Sequence, residues 1–198
     1  MSLETINYYN QNAADFAAAT DDIDMTALYA EFLPRLKAAG HILDAGCGSG
    51  RDAVYFKQLG FTVSAFDASA ELARLASARL HQAVAVQRFE QLNQHEKYDG
   101  IWCCASLLHV ANNNLATVFG LLQQALKPDG VLYASFKYGD TERQDHGRYF
   151  TDMNEARLTA LINDVNGLTL NKMWLTQDKR PERNHETWLN ALLFRNGS

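Results

Sequence analysis

The sequence contains few cysteines, few prolines and no long apolar run. Its 198 residues include three cysteines and three prolines. Three cysteines without metal-ligand spacing argue against a disulfide framework and a metal site, so we expect reduced thiols and a cytoplasmic protein. The longest nearly apolar run, Ile101 to Val110, is too short to span a bilayer. The N-terminus lacks the basic and apolar regions of a secretory signal, and no membrane association is expected.

Positively charged residues are fewer than negatively charged ones. Lys and Arg number 18 against 23 Asp and Glu, which gives a formal net charge of -5. Proteins whose affinity comes from neutralising phosphates need clustered Lys and Arg, so a nucleic-acid partner is disfavoured. The hydrophobic content of 47% is ordinary for a globular protein, and the length fits one domain over residues 1–198.

A glycine-rich loop, Asp44-Ala45-Gly46-Cys47-Gly48-Ser49-Gly50, follows the apolar pair Ile42-Leu43. Such a loop between a strand and a helix lets backbone amides approach a ligand. Its G-x-G-x-G spacing differs from the dinucleotide fingerprint G-x-G-x-x-G. The preceding Asp44 is a poor neighbour for a pyrophosphate and a good one for an ammonium group. The loop therefore favours a ligand that carries a positive charge.

A second carboxylate, Asp67, ends the next apolar run, residues 61–66. An acidic side chain at this position can accept hydrogen bonds from both hydroxyls of an unphosphorylated ribose. An adenosine joined to an amino acid, without phosphate, is S-adenosylmethionine. The sequence therefore predicts S-adenosylmethionine as the cofactor.

Four motifs extend this interpretation: LDAGCGSGRD (43–52), FDAS (66–69), YDGIWCCASLLHV (98–110) and LKPDGVLYASF (126–136). In this order they make the sequence resemble the class I S-adenosylmethionine-dependent methyltransferases, closely over about residues 40–137 and loosely elsewhere. A looser similarity to tellurite-resistance-type methyltransferases suggests one substrate class. The resemblance implies methyltransferase activity and a Rossmann-like sheet with an added antiparallel strand.

Hydrophobic periodicity predicts where these motifs lie. It favours helices over about 3–18 and 24–37, the second interrupted by Pro34, and a helix that ends near Gly60. Further helices are expected to begin at Ser69, at Asn112 to Asn114, and at a capping box formed by Asp152 and Glu155. Apolar runs predict strands at about 41–45, 61–66, 83–88, 98–104, 131–136, 168–176 and 187–194.

This alternation of strands and helices indicates an α/β fold, with a seven-stranded, mainly parallel sheet between helices. The last two strands have no helix between them, so the final strand should pair antiparallel. We expect an N-terminal helical lid over 1–38, a cofactor-binding core over 39–137, and substrate loops with the C-terminal strands over 138–198.

The loops that follow the first four strands should converge at one edge of the sheet and bind the cofactor. The glycines are expected to wrap its methionine part and ribose, the alternative being a tight turn that needs glycine only for packing. The resemblance implies that Phe89 and Glu90 flank the adenine. Arg51 could bind the cofactor carboxylate or be an exposed helix residue, and Tyr9 could cover the site or simply pack. The expected cofactor contacts are Asp44, Ala45, Gly46, Cys47, Gly48, Gly50, Arg51, Asp67, Ala68, Phe89, Glu90, Ala105 and Tyr9.

His109 follows the fourth strand, where the methyl acceptor is expected. It could act as a general base or form part of the pocket wall. Transfer from a sulfonium needs mainly in-line placement, so a base is optional. Two charged loops, 137–150 and 177–186, should meet over the acceptor. Arg143, Arg148 and Arg183 are the candidates for binding a small polar or anionic substrate, with a solvated surface as the alternative.

The predicted function is methyl transfer to a small-molecule O, N, S or metalloid acceptor. A non-catalytic regulatory protein that binds S-adenosylmethionine is one alternative. A nicotinamide-dependent oxidoreductase is another, opposed by Asp44 and by the glycine spacing. The fourth strand is followed by Ala-Ser-Leu-Leu-His and not by an Asn-Pro-Pro-Tyr type of motif, which argues against a nucleobase acceptor. The sequence makes no prediction of oligomeric state.

Overall fold

A seven-stranded sheet forms the centre of the fold in the computed structural model, which describes residues 1–197. A separate two-stranded hairpin accompanies it. The strands are β1 His41–Ala45, β2 Thr62–Asp67, β3 Ala85–Val86, β4 Tyr98–Cys103, β5 Leu126–Lys137, β6 Glu142–Asp145, β7 Arg148–Thr151, β8 Leu168–Gln177 and β9 Thr187–Arg195. The α-helices are α1 Leu3–Gln11, α2 Ala13–Thr20, α3 Thr26–Phe32, α4 Arg51–Gln58, α5 Ala70–Leu80, α6 Asn112–Ala125 and α7 Glu155–Asn163.

The strand order of the sheet is β3-β2-β1-β4-β5-β9-β8, and β6 pairs with β7 in the hairpin. Strands β1 to β5 run parallel to one another. Strand β9 lies between β5 and β8 and is antiparallel to both, as predicted. The strand order reverses between β1 and β4, and ligands of open parallel sheets bind at the carboxyl ends of the strands at such a point. The topology therefore places the ends of β1, β2 and β4 where a ligand is expected.

Helices cover both faces of the sheet because successive strand residues point to opposite sides. On β1, Ile42 packs in one apolar cluster and Leu43 in the other. On β4, Trp102 and Ile101 divide between the same two clusters. All four side chains are buried, so the central strands are apolar on both faces. This arrangement confirms the predicted layering.

The N-terminal helices differ in detail from the prediction. The segment 3–18 is divided at Asn12, whose side-chain amide donates to the carbonyl of Tyr8 at 2.8 Å. The predicted interruption at Pro34 is confirmed, because α3 ends at Phe32 and a 3-10 turn follows over Leu33–Arg35. Helix α4 ends at Gln58, and Gly60 has a φ of +89°, as its position after the helix predicted. Among residues 1–197, no helix is both long and apolar enough to traverse a membrane.

Two of the predicted helix caps are wrong, and one is confirmed. Ser69 caps α5, because its hydroxyl accepts the amide of Leu72 at 3.2 Å. At α7 the cap is Asn154 and not Asp152. Helix α6 begins directly at Asn112, whose backbone amide donates to the Glu142 carboxylate at 2.8 Å. A side chain from a different element thus replaces the local cap that the asparagines suggested.

The strand bounds also differ from the prediction. Strand β3 is limited to Ala85–Val86, and strand β5 includes the predicted turn at Pro128 to Gly130 as an irregularity in its pairing with β4. The left-handed residue there is Asp129, with a φ of +62°. The hairpin β6–β7 was not predicted. Its turn residues His146 and Gly147 both have positive φ, the geometry of a type I′ turn.

Candidate cofactor and acceptor site

A cavity of about 230 Å³ lies at the carboxyl ends of the central strands. It is bordered by the loops after β1, β2 and β4, by α1 and α2, and by the hairpin. Four of the residues expected in the site do not line it: Ala45, Gly50, Glu90 and Arg143. The structure brings together Tyr9, Asp44, Gly46, Cys47, Gly48, Arg51, Asp67, Ala68, Phe89, Ala105, His109, Arg148 and Arg183.

The glycine loop is fixed to the end of β2. The amides of Gly46 and Cys47 both donate to the carbonyl of Phe66, at 2.9 and 3.0 Å. Gly46 has a φ of +74°, and a Cβ added there would lie 2.5 Å from the Cβ of Ser106. Ser106 in turn donates to the carbonyl of Ala45 at 2.7 Å. Glycine is needed at this position because the loop after β4 approaches the backbone so closely.

Asp67 is held in place by backbone amides. Its two carboxylate oxygens accept the amides of Gly48 at 2.9 Å and Ser69 at 2.8 Å. Burial raises the pKa of the Asp67 carboxyl to about 6, although these hydrogen bonds oppose the increase. Each carboxylate oxygen has a further lone pair that a ligand hydroxyl can use.

Asp44 has an oxygen with no partner. Its Oδ2 atom is buried and makes no hydrogen bond within the described part of the chain. Burial and the nearby Asp52 raise the pKa of the Asp44 carboxyl well above its usual range, and Arg51 only partly opposes them. An unpartnered carboxylate beside a second carboxylate is stabilised by a cation. The residues therefore fit the ammonium group of S-adenosylmethionine.

Asp52 organises the floor of the site and was missed by sequence reasoning. Its carboxylate accepts from Arg51 Nε at 2.6 Å, from the Tyr29 hydroxyl at 2.6 Å and from Trp102 Nε1 at 2.7 Å. Arg51 also donates to the carbonyl of Thr20 at 2.9 Å, which joins the end of α2 to the glycine loop. Arg51 thus lines the cavity while its charge is paired with Asp52.

Contacts join the helices α1 and α2 to the loops after β1 and β2. Asn10 accepts the hydroxyl of Ser69 at 2.7 Å, and Asp21 accepts the hydroxyl of Ser49 at 2.5 Å. The ring of Phe16 lies against the glycine loop, since a Cβ on Gly48 would be 3.2 Å from it. These contacts place the two helices across the cavity as a cover.

Aromatic and amide groups line the part of the cavity beyond Asp67. Phe89 is buried and packs edge-on against Phe66, with ring centroids 5.3 Å apart. Glu90 binds the N-terminal ammonium of Met1 at 3.0 Å. Gln87, which sequence reasoning missed, has a buried Nε2 atom without a hydrogen-bond partner in residues 1–197. A flat ring beside an unused amide donor suits a purine base.

His109 is buried and electrically neutral. Its Nδ1 lies 2.6 Å from the carbonyl oxygen of Tyr149, which can only accept, so Nδ1 carries the proton. Nε2 then accepts the hydroxyl hydrogen of Tyr9 at 2.8 Å. Burial lowers the pKa of the His109 imidazole to about 4. The lone pair of His109 is thus used by Tyr9.

The acceptor end of the cavity contains several cations that sequence reasoning assigned only in part. Lys137, which was missed, pairs with Glu186 at 2.6 Å. Arg183 lies 3.7 Å from the same Glu186. Arg143 pairs with Asp152 at 2.8 Å, outside the cavity lining. Two of the three arginines expected to contact substrate therefore line the cavity.

The chain matches a known protein family. A family model described as "Methyltransferase domain" matches residues 18–177. A protein of Geobacillus sp. (strain WCH70), named "Putative methyltransferase GWCH70_2453", is 31% identical over 117 residues, which are 56% of this chain and 47% of that protein. The chain therefore spans about half the length of this curated relative.

Solved structures share the fold. The 1,6-didemethyltoxoflavin-N1-methyltransferase of Burkholderia thailandensis, with bound 1,6-didemethyltoxoflavin and S-adenosylhomocysteine, is 23% identical with a TM-score of 0.75 and covers 96% of this chain and 85% of its own. The magnesium protoporphyrin IX methyltransferase of Synechocystis PCC 6803, with bound S-adenosylmethionine, is 17% identical with a TM-score of 0.75. The match covers 99% of this chain and 98% of that protein. At these identities the likeness shows a common fold.

Proposed function

The chain belongs to the methyltransferase-domain family, and from this premise we propose that it is an S-adenosylmethionine-dependent methyltransferase whose methyl acceptor is a small molecule with an O, N, S or metalloid nucleophile. The observation that carries the proposal is the unpartnered, buried Asp44 Oδ2 atom beside the glycine loop. It supports a cofactor whose methionine end lies at Asp44, and this placement leaves the volume of the cavity on the side of His109 and the hairpin for the acceptor.

The proposed cofactor contacts follow from the unused hydrogen-bonding groups. Asp44 accepts from the ammonium group, and Asp67 accepts from the ribose hydroxyls. Phe89 packs on the adenine, and Gln87 donates to its edge. Two unpaired carboxylates are unfavourable neighbours for a pyrophosphate, which opposes a nicotinamide dinucleotide in the same cavity.

The bound cofactor supplies an electrophilic methyl group on a sulfonium. The chain contributes chiefly placement, because a transfer of this kind needs the nucleophile in line with the breaking bond. We infer that the cover formed by α1 and α2 limits the access of water to the bound cofactor. The Tyr9 oxygen can still accept a hydrogen bond from the acceptor while His109 holds its hydroxyl hydrogen. Any assistance from His109 in removing a proton therefore passes through Tyr9.

The Burkholderia structure supports a small acceptor, since 1,6-didemethyltoxoflavin is bound there together with S-adenosylhomocysteine. The cavity here is also covered by the two N-terminal helices. Both observations favour an acceptor that fits inside the fold over one that lies across its surface.

The test is methyl transfer from labelled S-adenosylmethionine to a broad panel of small amines, thiols, hydroxy compounds, carboxylates and metalloid oxyanions, with tRNA, DNA and protein substrates alongside. We expect release of S-adenosylhomocysteine with a member of the small-molecule panel, and its loss in Asp44→Asn. Asp164→Asn, an exposed aspartate at the end of α7, should behave as the original protein. Transfer only to a macromolecule would overturn the proposal.

A further inference from the structure

Arg148 is a buried cation without an anionic partner. It is 7% exposed and lines the cavity. Its Nε atom is buried and has no hydrogen-bond partner within residues 1–197. Burial of an unpaired charge is costly, and a protein retains one where a ligand completes it. The unsatisfied donor therefore points to a ligand in the cavity.

Aromatic rings fix the position of this guanidinium. Its Cζ atom lies 4.6 Å from the ring centroid of Tyr8 on α1 and 5.1 Å from that of Phe150 on β7. Cation–π contacts with two rings hold the charge, and the neutral Tyr9 hydroxyl also lies within reach of the guanidinium. Neither the rings nor this hydroxyl carries a negative charge, so the charge of the guanidinium is left for a ligand to balance.

The neighbouring cations have partners, and Arg148 does not. Three cations lie over the Phe150 ring: Lys137, Arg143 and Arg148, at 5.3, 4.6 and 5.1 Å. Lys137 pairs with Glu186, and Arg143 pairs with Asp152. In the part of the chain that the structure describes, no carboxylate lies within ion-pair distance of Arg148. Of these three cations, Arg148 is thus the one whose charge no described carboxylate balances.

We propose that the acceptor itself supplies the missing negative charge: it is a small-molecule carboxylate that Arg148 binds through charge-assisted hydrogen bonds. This inference rests on the proposed function and names its substrate class. The cofactor end of the cavity carries unpaired carboxylates and the acceptor end an unpaired guanidinium, so each end is complementary to a different charge. Rings of Phe16, Phe150 and Trp188 in the lining favour a planar body for the carboxylate.

Benzoate and benzamide are matched probes, because they have the same shape and differ in charge. We expect benzoate to bind the protein saturated with S-adenosylhomocysteine at least roughly tenfold more tightly than benzamide, as charge-assisted hydrogen bonds require. Isothermal titration calorimetry measures both. Arg148→Gln should abolish the preference, and Arg148→Lys should retain part of it. The control is Arg74→Gln, an exposed arginine on α5 outside the cavity.

Equal affinities for the two probes, no binding of benzoate, or a preference that persists in Arg148→Gln would overturn the inference. Circular dichroism tests whether Arg148→Gln is folded. If it is not, the preference for benzoate is compared between Arg148→Lys and the unmodified protein. Binding of S-adenosylhomocysteine is measured first. A loss of cofactor binding, which would contradict the proposed function, is thereby distinguished from a loss of the preference for benzoate. The same titrations without S-adenosylhomocysteine test Arg148 independently of that outcome.

Discussion

At the scale of single residues, the carboxylates of Asp44 and Asp67 differ in the hydrogen bonds that they accept within the protein. Asp67 accepts two backbone amides, so its orientation is set before a ligand arrives. Asp44 has a buried oxygen with no described partner. The first is arranged to receive neutral hydroxyls, and the second is arranged to receive a positive charge. Together they distinguish the two polar ends of an adenosyl amino acid.

Replacement of Asp67 tests the ribose contact. Charge-assisted hydrogen bonds contribute about 1.5–3 kcal/mol each, so Asp67→Ala should weaken the binding of S-adenosylhomocysteine at least roughly tenfold. Calorimetric titration provides the affinity, with the exposed Asp164→Ala as a matched control. An unchanged affinity in Asp67→Ala would remove this residue from the site.

The same carboxyl predicts a pH dependence of binding. Burial raises the pKa of Asp67 from 3.8 to about 6 in the folded protein, so its ionised form is disfavoured there and stability declines as pH rises between these values. Ribose hydroxyls donate to the ionised form, so binding lowers this pKa and releases a proton below it. Affinity for S-adenosylhomocysteine should therefore decrease as the pH falls through about 6.

Calorimetry at a series of pH values measures this dependence. Asp67→Asn should show a smaller decrease, because the amide does not titrate, while Asp44 continues to contribute in the same direction. An affinity that is constant from about pH 7 to about pH 5 would contradict the assignment of both carboxylates.

The sequence predicted Asp44 and Asp67 because each directly follows an apolar run that becomes a strand. It could not predict Asp52 as the centre of a network, because the partners Tyr29 and Trp102 are 23 and 50 residues away. Gln87 and Lys137 were missed for a similar reason. A polar residue contributes to a site only when the fold places it beside a cavity, and no local sequence pattern indicates that placement.

At the scale of elements, the glycine loop and the loop after β4 are built against each other. Gly46 and Gly60 both have positive φ, at +74° and +89°. A Cβ on Gly46 would lie 2.5 Å from the Cβ of Ser106, whereas nothing lies within 4 Å of one on Gly60. The two positions therefore share a backbone conformation and differ in their surroundings.

Alanine substitutions at these two glycines distinguish the cost of backbone strain from the cost of steric crowding. Gly60→Ala should cost about 1–2 kcal/mol of unfolding free energy through its backbone conformation alone. Gly46→Ala should cost a further 1–3 kcal/mol, approximately, because the loop after β4 must move. Urea unfolding measures both changes. Equal losses in the two variants would mean that the approach of Ser106 does not constrain the loop.

The cover over the cavity is joined to the hairpin through one buried hydroxyl. Thr5 is completely buried, and its Oγ1 accepts the backbone amide of Tyr149 at 2.9 Å. Thr5→Val leaves that amide without an acceptor, at a cost of about 1–3 kcal/mol. Hydrogen exchange in α1 and in residues 148–151 should accelerate. Thr159→Val, which removes an exposed hydroxyl on α7, is the control, and equal exchange in both variants would contradict a joining role for Thr5.

Elements with strong apolar patterns were predictable, and the hairpin was not. The strands β1, β2 and β4 are buried runs bounded by turn residues, and their predicted positions agree with the structure to within one residue. The hairpin is polar and short, so its sequence has no strand periodicity, and His146-Gly147 was its only turn signal. Asp152 was misjudged as a cap because its partner, Arg143, lies across that hairpin.

At the scale of the whole molecule, the fold separates two kinds of charge along one cavity. Asp44 and Asp67, carboxylates for which the structure of residues 1–197 shows no cationic partner, lie at the ends of β1 and β2. The guanidinium of Arg148, which has no carboxylate partner in the same residues, belongs to the hairpin beyond β5. The strand order places both groups at the carboxyl ends of the strands although Asp44 and Arg148 are 104 positions apart in the sequence. The net charge of -5 gives no indication of this separation of negative and positive groups along the cavity. The topology therefore produces a donor end and an acceptor end that composition alone does not indicate.

The most direct test of the central claim is a crystal structure of the complex with S-adenosylhomocysteine. We expect its ribose hydroxyls within hydrogen-bond distance of Asp67, its ammonium group against Asp44 Oδ2, and its adenine on Phe89. The sulfur should face the volume bounded by Tyr9 and Arg148. An adenosyl group bound elsewhere on the molecule, or one that leaves both carboxylates without contact, would show that Asp44 and Asp67 do not form the cofactor site.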